Sequence, residues 1–316
     1  MASMWSLEDN RRSVMRRALF ALLLAACLAR PAIAACVVRQ GADVPLRATP
    51  AGWLVTLDVN RTALPFLFDT GAERSMIFAE AADRIGVRRD EWVATTTRGI
   101  GGDVRMRNAD PDTLTLGGLP LRRHTMAADN TLVVAPAQQG DAAGLLGQDL
   151  LSPYDLQIDG PHAALTLFAV SDCTARTLPW SGTTTAIPAA RPTGAVLLIP
   201  VEIDGHVLEA AIDSGSTASL VTAAGTRKLG LGAAALAADP TGAAVGVGPR
   251  ALPLRRHRFA SVTIGGVASH DVLLWVGPAY LLRAIDVLLG RDWLASRMVW
   301  ISFATNTVSV SRDTGF

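Results

Sequence analysis

Apolar and polar residues alternate in two stretches of the chain that share one design. Residues 54–59 (Leu-Val-Thr-Leu-Asp-Val) alternate as a half-buried strand, Asn60-Arg61 makes a polar turn, and residues 64–68 (Leu-Pro-Phe-Leu-Phe) run apolar into Asp69-Thr70-Gly71-Ala72. The second half repeats this plan: residues 196–203 form a strand, Asp204-Gly205 is a hairpin turn, and residues 207–212 lead into Asp213-Ser214-Gly215-Ser216. A helix-like stretch over residues 79–85 closes at Gly86, 17 residues beyond Asp69, and Gly230 follows Arg227-Lys228-Leu229 at the same distance from Asp213. Each glycine stands where a helix C-terminal cap is expected.

Two further landmarks recur in the same order. Leu114-Thr-Leu-Gly-Gly118 matches Val262-Thr-Ile-Gly-Gly266, each a strand entering a Gly-Gly turn. Leu145-Leu146-Gly147-Gln148-Asp149-Leu150 matches Leu288-Leu289-Gly290-Arg291-Asp292-Trp293, with the glycines 78 and 77 residues from their respective Asp. Four ordered landmarks at matched spacing define an internal repeat. The expected organisation is therefore a leader over 1–34, a first lobe over 35–175, a Pro/Thr/Ala-rich linker over 176–193 and a second, homologous, mainly β lobe over 194–316. Pro120-Leu-Arg-Arg-His124 and Pro253-Leu-Arg-Arg-His257 fall out of register with the repeat, and a third Asp-Thr-Gly at Asp313 follows no apolar strand. Residues 127–143 of the first lobe have no assigned role.

Composition narrows the function. The chain has 316 residues, 50% hydrophobic and 18% charged, which is enough apolar content for two cores. Its net charge is +1, but five Arg fall in residues 1–34, and the remainder carries 24 basic against 26 acidic residues. That balance disfavours a nucleic-acid partner. Arg16-Arg17, an apolar run over residues 18–29 and Ala32-Ile33-Ala34 have the layout of an export signal, giving a periplasmic or secreted protein that begins at Ala35. The sequences before Cys27 and Cys36 also resemble lipoprotein cleavage sites, so a membrane contact is expected only through a lipid on one of them. Cleavage after Ala34 leaves Cys36 and Cys173, which in an oxidising compartment suggest one disulfide; two free thiols, or a lipidated Cys36, are the alternatives. The five His show no metal-ligand spacing and no triad with a Ser, Ser216 and Ser219 read as loop hydroxyls, and neither a metal nor a cofactor is expected.

An apolar strand that delivers Asp-Thr/Ser-Gly can turn at the glycine and hold the carboxylate on backbone amides. Two copies, one per lobe, can bring two carboxylates together, and like charges that close share one proton. One oxygen then serves as general base on a water while the protonated partner polarises a carbonyl. Phe68-Asp69-Thr70-Gly71-Ala72 with Leu145-Leu146-Gly147, and Ile212-Asp213-Ser214-Gly215-Ser216 with Leu288-Leu289-Gly290, resemble the two signatures of aspartic proteases. The resemblance implies a bilobal β fold with short helices and a cleft between lobes, Asp69 and Asp213 as the dyad, and Thr70 with Gly71 and Ser214 with Gly215 supporting the two loops. Each lobe also carries a Gly-rich segment, Gly99-Ile100-Gly101-Gly102 and Gly246-Val247-Gly248, at 30 and 33 residues from its Asp. Two such flaps are similar to the retropepsin type, with both halves here in one chain. A monomer acting on an extended peptide or protein is expected. The alternative is an exported peptide-binding protein of the same fold without catalysis, for which loss of one Asp would be the sign; both are present.

Overall fold

A computed structural model of the protein describes residues 37–122, 125–129, 140–171, 183–192, 196–248, 250–279, 281 and 285–311. The expected leader, Cys27, Cys36, Cys173, His124 and the third Asp-Thr-Gly at Asp313 lie outside these residues.

The first lobe is built on strands Trp53–Val59 and Thr62–Phe68, which pair antiparallel around the turn at Asn60 and Arg61. Both turn residues adopt positive φ, the type I′ geometry that matches strand twist. The second lobe repeats the hairpin with Leu198–Ile203 and His206–Ile212 around Asp204 and Gly205. Inward-facing residues of these strands, Leu57, Val59, Phe66 and Phe68 in one lobe and Ile199, Ile203, Leu208 and Ala210 in the other, belong to one buried apolar cluster. The Gly-Gly landmarks are also positive-φ turns, at Gly117-Gly118 and Gly265-Gly266.

One topological device recurs and positions the site. Strand Gly144–Leu146 lies parallel to Thr62–Phe68 on one side and antiparallel to Met76–Phe78 on the other. In the second lobe Val287–Leu289 lies between His206–Ile212 and Leu220–Val221 in the same two senses. The Leu-Leu-Gly landmark is thereby threaded beside each Asp loop. Short helices follow, Ala79–Arg84 and Ala223–Lys228. Gly86 and Gly230 end them at φ +68° and +67°, and the next residues, Val87 and Leu231, donate back five positions to Ala82 and Thr226 at 2.9 and 3.1 Å.

The lobes are not joined by a bare linker. A six-stranded sheet takes Val37–Pro45, Ala164–Ser171 and Asp155–Asp159 from the first half and Met298–Ser302 and Thr307–Ser311 from the second. Its sixth strand, Thr184–Pro188, comes from the stretch expected to be linker. Ile187 is buried there against the common core, which is why a Thr/Pro-rich segment forms a strand. The two halves meet where Leu156 pairs with Ile301. Beside that seam the buried Asp155 accepts from Trp300 Nε1 at 3.2 Å and from the Ala304 amide at 3.3 Å. Of residues 127–143, those up to Asp129 belong to strand Met126–Asp129, which lies parallel to Met76–Phe78; residues 130–139 are outside the described residues.

Candidate active site

Each Asp leaves the end of an apolar strand and is pinned by the threaded strand beside it. The Asp69 amide donates to the Leu146 carbonyl at 3.1 Å, and the Asp213 amide donates to the Leu289 carbonyl at 2.8 Å. The chain then turns, and the loop amides fold back on the carboxylate. Gly71 and Ala72 donate to Asp69 Oδ1 at 2.9 and 3.0 Å, and Ser216 donates to Asp213 Oδ1 at 3.0 Å.

The hydroxyls of Thr70 and Ser214 lock the two loops across the lobe interface. Thr70 Oγ1 donates to the Ile212 carbonyl at 2.7 Å and accepts from the Ser214 amide at 3.1 Å. Ser214 Oγ donates to the Phe68 carbonyl at 2.8 Å and accepts from the Thr70 amide at 3.0 Å. Both side chains are fully buried, so the four bonds form where an unmet polar group would be costly.

This lock brings Asp69 and Asp213 side by side. A Cβ on Gly71 would stand 2.5 Å from Asp213 Cγ, and one on Gly215 would stand 2.4 Å from Asp69 Cγ. Only glycine therefore admits the opposite carboxyl. Burial raises Asp69 well above the ordinary carboxylate range, the Asp213 charge and the hydrogen bond between the carboxyls raise it further, and the Gly71 and Ala72 amides act the other way. Burial also raises Asp213, while the bond from Asp69 and the Ser216 and Gly215 amides lower it. Two buried carboxyls held this close titrate as a unit.

The Gly-rich segments face each other at hairpin tips. Strands Arg89–Gly99 and Gly102–Ala109 pair up to Gly99 opposite Gly102, leaving Ile100 and Gly101 as the tip. In the second lobe Thr241–Ala244 pairs with Leu252–Ile264, and Gly246, Val247 and Gly248 lie in the loop between. The Gly101 amide donates to the Val247 carbonyl at 2.9 Å. A Cβ on Gly99 would stand 2.2 Å from that carbonyl oxygen, and one on Gly248 would stand 2.2 Å from the Gly101 carbonyl carbon. The tip side chains cross over: Ile100 packs against the second lobe's cluster around Leu220 and Leu288, and Val247 packs against the first lobe's cluster of Met76, Met106 and Leu145.

A second pair of contacts under the loops was not singled out from sequence. Ser75 Oγ accepts from the Gly147 amide at 2.8 Å and donates to the buried Asp149 at 2.6 Å. Ser219 Oγ does the same with the Gly290 amide at 3.0 Å and Asp292 at 2.7 Å. Each ties the loop after Asp to its Leu-Leu-Gly strand. The signal was available: a Ser six residues after each Asp and an Asp two residues after each Leu-Leu-Gly. Among the described histidines, His162 pairs with Asp159 and His257 with Asp239. Among the described residues no group of His, Cys, Asp and Glu is arranged to hold a metal ion.

A family model described as aspartyl protease matches the chain twice, over residues 55–150 and 199–293, more than half of its length. No curated protein matches it. Each matched segment contains one Asp loop, one Gly-rich hairpin and one threaded Leu-Leu-Gly strand, and with two such lobes in one polypeptide the chain belongs to the retropepsin-like aspartyl protease family.

Proposed function

We propose that the protein is an aspartic endopeptidase in which Asp69 and Asp213 activate a single water between them. The observation that carries this reading is the meeting of the two carboxyls, each packed over the other lobe's glycine. In the first step Asp213 takes a proton from water, the water oxygen attacks the peptide carbonyl carbon, and Asp69 gives its proton to the carbonyl oxygen. The resulting diol collapses as Asp213 gives its proton to the amide nitrogen, Asp69 takes one from a diol hydroxyl and the C–N bond breaks, which returns the dyad to its starting state with one proton. No covalent bond to the enzyme forms.

Thr70 and Ser214 hold the two loops at a fixed separation, and Gly71 and Gly215 leave room for the facing carboxyls. The two tips, Gly99 to Gly102 and Gly246 to Gly248, act as flaps over an extended peptide, whose backbone would pair with them as an added strand. The chain works as a monomer, since it carries both half-sites itself. It is exported, with Cys36 and Cys173 joined; support for the pairing comes from Val37 and Ser171, their near neighbours, which stand opposite each other in the six-stranded sheet. Non-reducing peptide mapping is expected to recover that bridge, and two free thiols would remove it.

The test of the activity is hydrolysis of an unstructured protein by the purified mature chain from acidic to neutral pH, with and without a transition-state inhibitor of aspartic proteases. Inhibitor-sensitive cleavage with a bell-shaped pH profile is expected. Tight inhibitor binding without any cleavage would instead identify a peptide-binding protein.

A further inference from the structure

We propose that Gln148 is a positioning residue that acts on Asp69 through the Thr70–Gly71 peptide group, and that it does so in one lobe only. This rests on the reading of Asp69 as half of the catalytic pair.

Gln148 is buried, at 3% exposure, directly after the Leu-Leu-Gly strand. Its Nε2 donates to the Thr70 carbonyl. That carbonyl and the Gly71 amide belong to the same peptide group, and the Gly71 amide is a donor to Asp69 Oδ1 at 2.9 Å. A hydrogen bond accepted by a peptide oxygen polarises the group and strengthens its N–H as a donor. The chain from the Gln148 amide through Thr70 and Gly71 to Asp69 is therefore continuous, and its far end stabilises the ionised carboxylate. Burial and the Asp213 charge push the other way. The relay thus keeps the proton on Asp69 releasable, which a residue that must both give and regain a proton in each turnover requires.

The second lobe lacks the relay, and there the amide that donates to the carboxylate at hydrogen-bond distance is that of Ser216, to Asp213 Oδ1 at 3.0 Å. Arg291 is the equivalent of Gln148, and the amides of the two residues make equivalent bonds, Gln148 to Ala72 and Arg291 to Ser216, each at 2.9 Å. The side chains diverge. Arg291 reaches across to the first lobe, donating to the Thr49 carbonyl at 3.3 Å and lying 6.0 Å from the Trp53 ring. Among the described residues no side chain donates to the Ser214 carbonyl, so the Ser214–Gly215 peptide group carries no such polarisation. The charged surroundings do not imitate the effect. The ionisable group facing Asp69 is Asp213; on its own loop Glu73 faces Arg98 of the flap strand, and Arg74 faces Asp149 beneath.

Two measurements test this. In the wild-type protein a scalar coupling across the hydrogen bond from the Gln148 side-chain nitrogen to the Thr70 carbonyl carbon is expected, and in Gln148→Met or Gln148→Leu the Gly71 amide proton is expected to move upfield while that of Gly215 holds. In pH profiles of kcat, the same variants are expected to move the alkaline limb upward by roughly 0.2–0.6 of a pH unit, the share of a charge-assisted hydrogen bond that polarisation supplies. KM is expected to hold, and Arg291→Met to leave the limb in place. Absence of that coupling, a Gly71 amide unmoved in the Gln148 variants, or a limb that shifts equally in Arg291→Met, would overturn the relay. The coupling needs neither a folded variant nor catalysis, so absence of hydrolysis would remove the protease reading while leaving the relay to be judged on the amide signals.

Discussion

The two lobes agree at the loops that carry the Asp residues and at the strands that brace them, and differ in the elements around these. Asp, Thr or Ser, and Gly recur at the loop because each reaches into the opposite half: carboxyl over glycine, hydroxyl onto carbonyl. Nine residues after the Asp the halves already part. Phe78 begins the first helix without a side-chain cap, whereas Thr222 caps the second by accepting from the Ala224 and Gly225 amides at 3.1 and 3.3 Å. Asp286, fully buried and bound by Lys228, stands in the second lobe where the first has Ala143. The flap tips diverge too, a two-residue turn against a longer loop. Pseudo-symmetry is thus strictest at the Asp loops and their bracing strands, and just outside them, as at 148 and 291, equivalent backbone positions carry side chains with different partners.

The largest expected effect falls on the most symmetric pair. Asp69→Asn and Asp213→Asn each remove a carboxylate from a pair that the proposed mechanism uses as one unit, so each is expected to lower kcat by about 10²–10⁴-fold, with the double variant little worse than either. Assays on folded variants check this, and Asp313→Asn is expected to cost nothing. Residual turnover that differs strongly between the two single variants would show that the halves are not one unit.

Next in size is the lock. Thr70→Val leaves the Ile212 carbonyl and the Ser214 amide without their buried partner, and Ser214→Ala does the same to the Phe68 carbonyl and the Thr70 amide. At about 1–3 kcal/mol for each orphaned group, either is expected to cost about 2–6 kcal/mol of stability, measured by denaturant unfolding, while Thr70→Ser keeps most of it. Because the two hydroxyls share one network, the double variant is expected to lose less than the sum.

A smaller and less symmetric effect is expected at the flaps. A Cβ at Gly101 would stand 2.7 Å from the Arg250 carbonyl oxygen, so Gly101→Ala must part the tips. Faster hydrogen exchange at both tips and a several-fold lower kcat/KM are expected, with global stability nearly unchanged. An unaltered exchange pattern would mean that the tip contact does not hold the flaps closed.

Much of this was legible in the sequence because the landmarks are chemical necessities. A glycine closes each helix, Gly-Gly makes each positive-φ turn, and Leu-Leu-Gly keeps a fixed distance from Asp because that strand must lie beside the Asp loop. The six-stranded sheet was not legible in the same way. The alternation in residues 155–159 and 298–302 shows which face of a strand is buried but not that the two pair with each other, and Thr184–Pro188 has a loop-like composition that burial of Ile187 overrides. Gln148 was hidden for a related reason. It sits inside a repeated motif opposite another long polar side chain, Arg291, and which carbonyl each of them reaches is set by the fold.

The proposed mechanism requires the two carboxyls to hold one proton between them, and the Asp69 carboxyl ¹³C resonance followed against pH in the wild-type protein and in Asp213→Asn reports on that proton. Burial and the Asp213 charge both raise Asp69, so it is expected to titrate well above the ordinary carboxylate range in the wild type. Loss of the neighbouring charge is expected to bring that titration down by an easily resolved step, with burial keeping it above the ordinary value. An Asp69 titration that is ordinary in the wild type, or that does not move when Asp213 becomes Asn, would contradict the account.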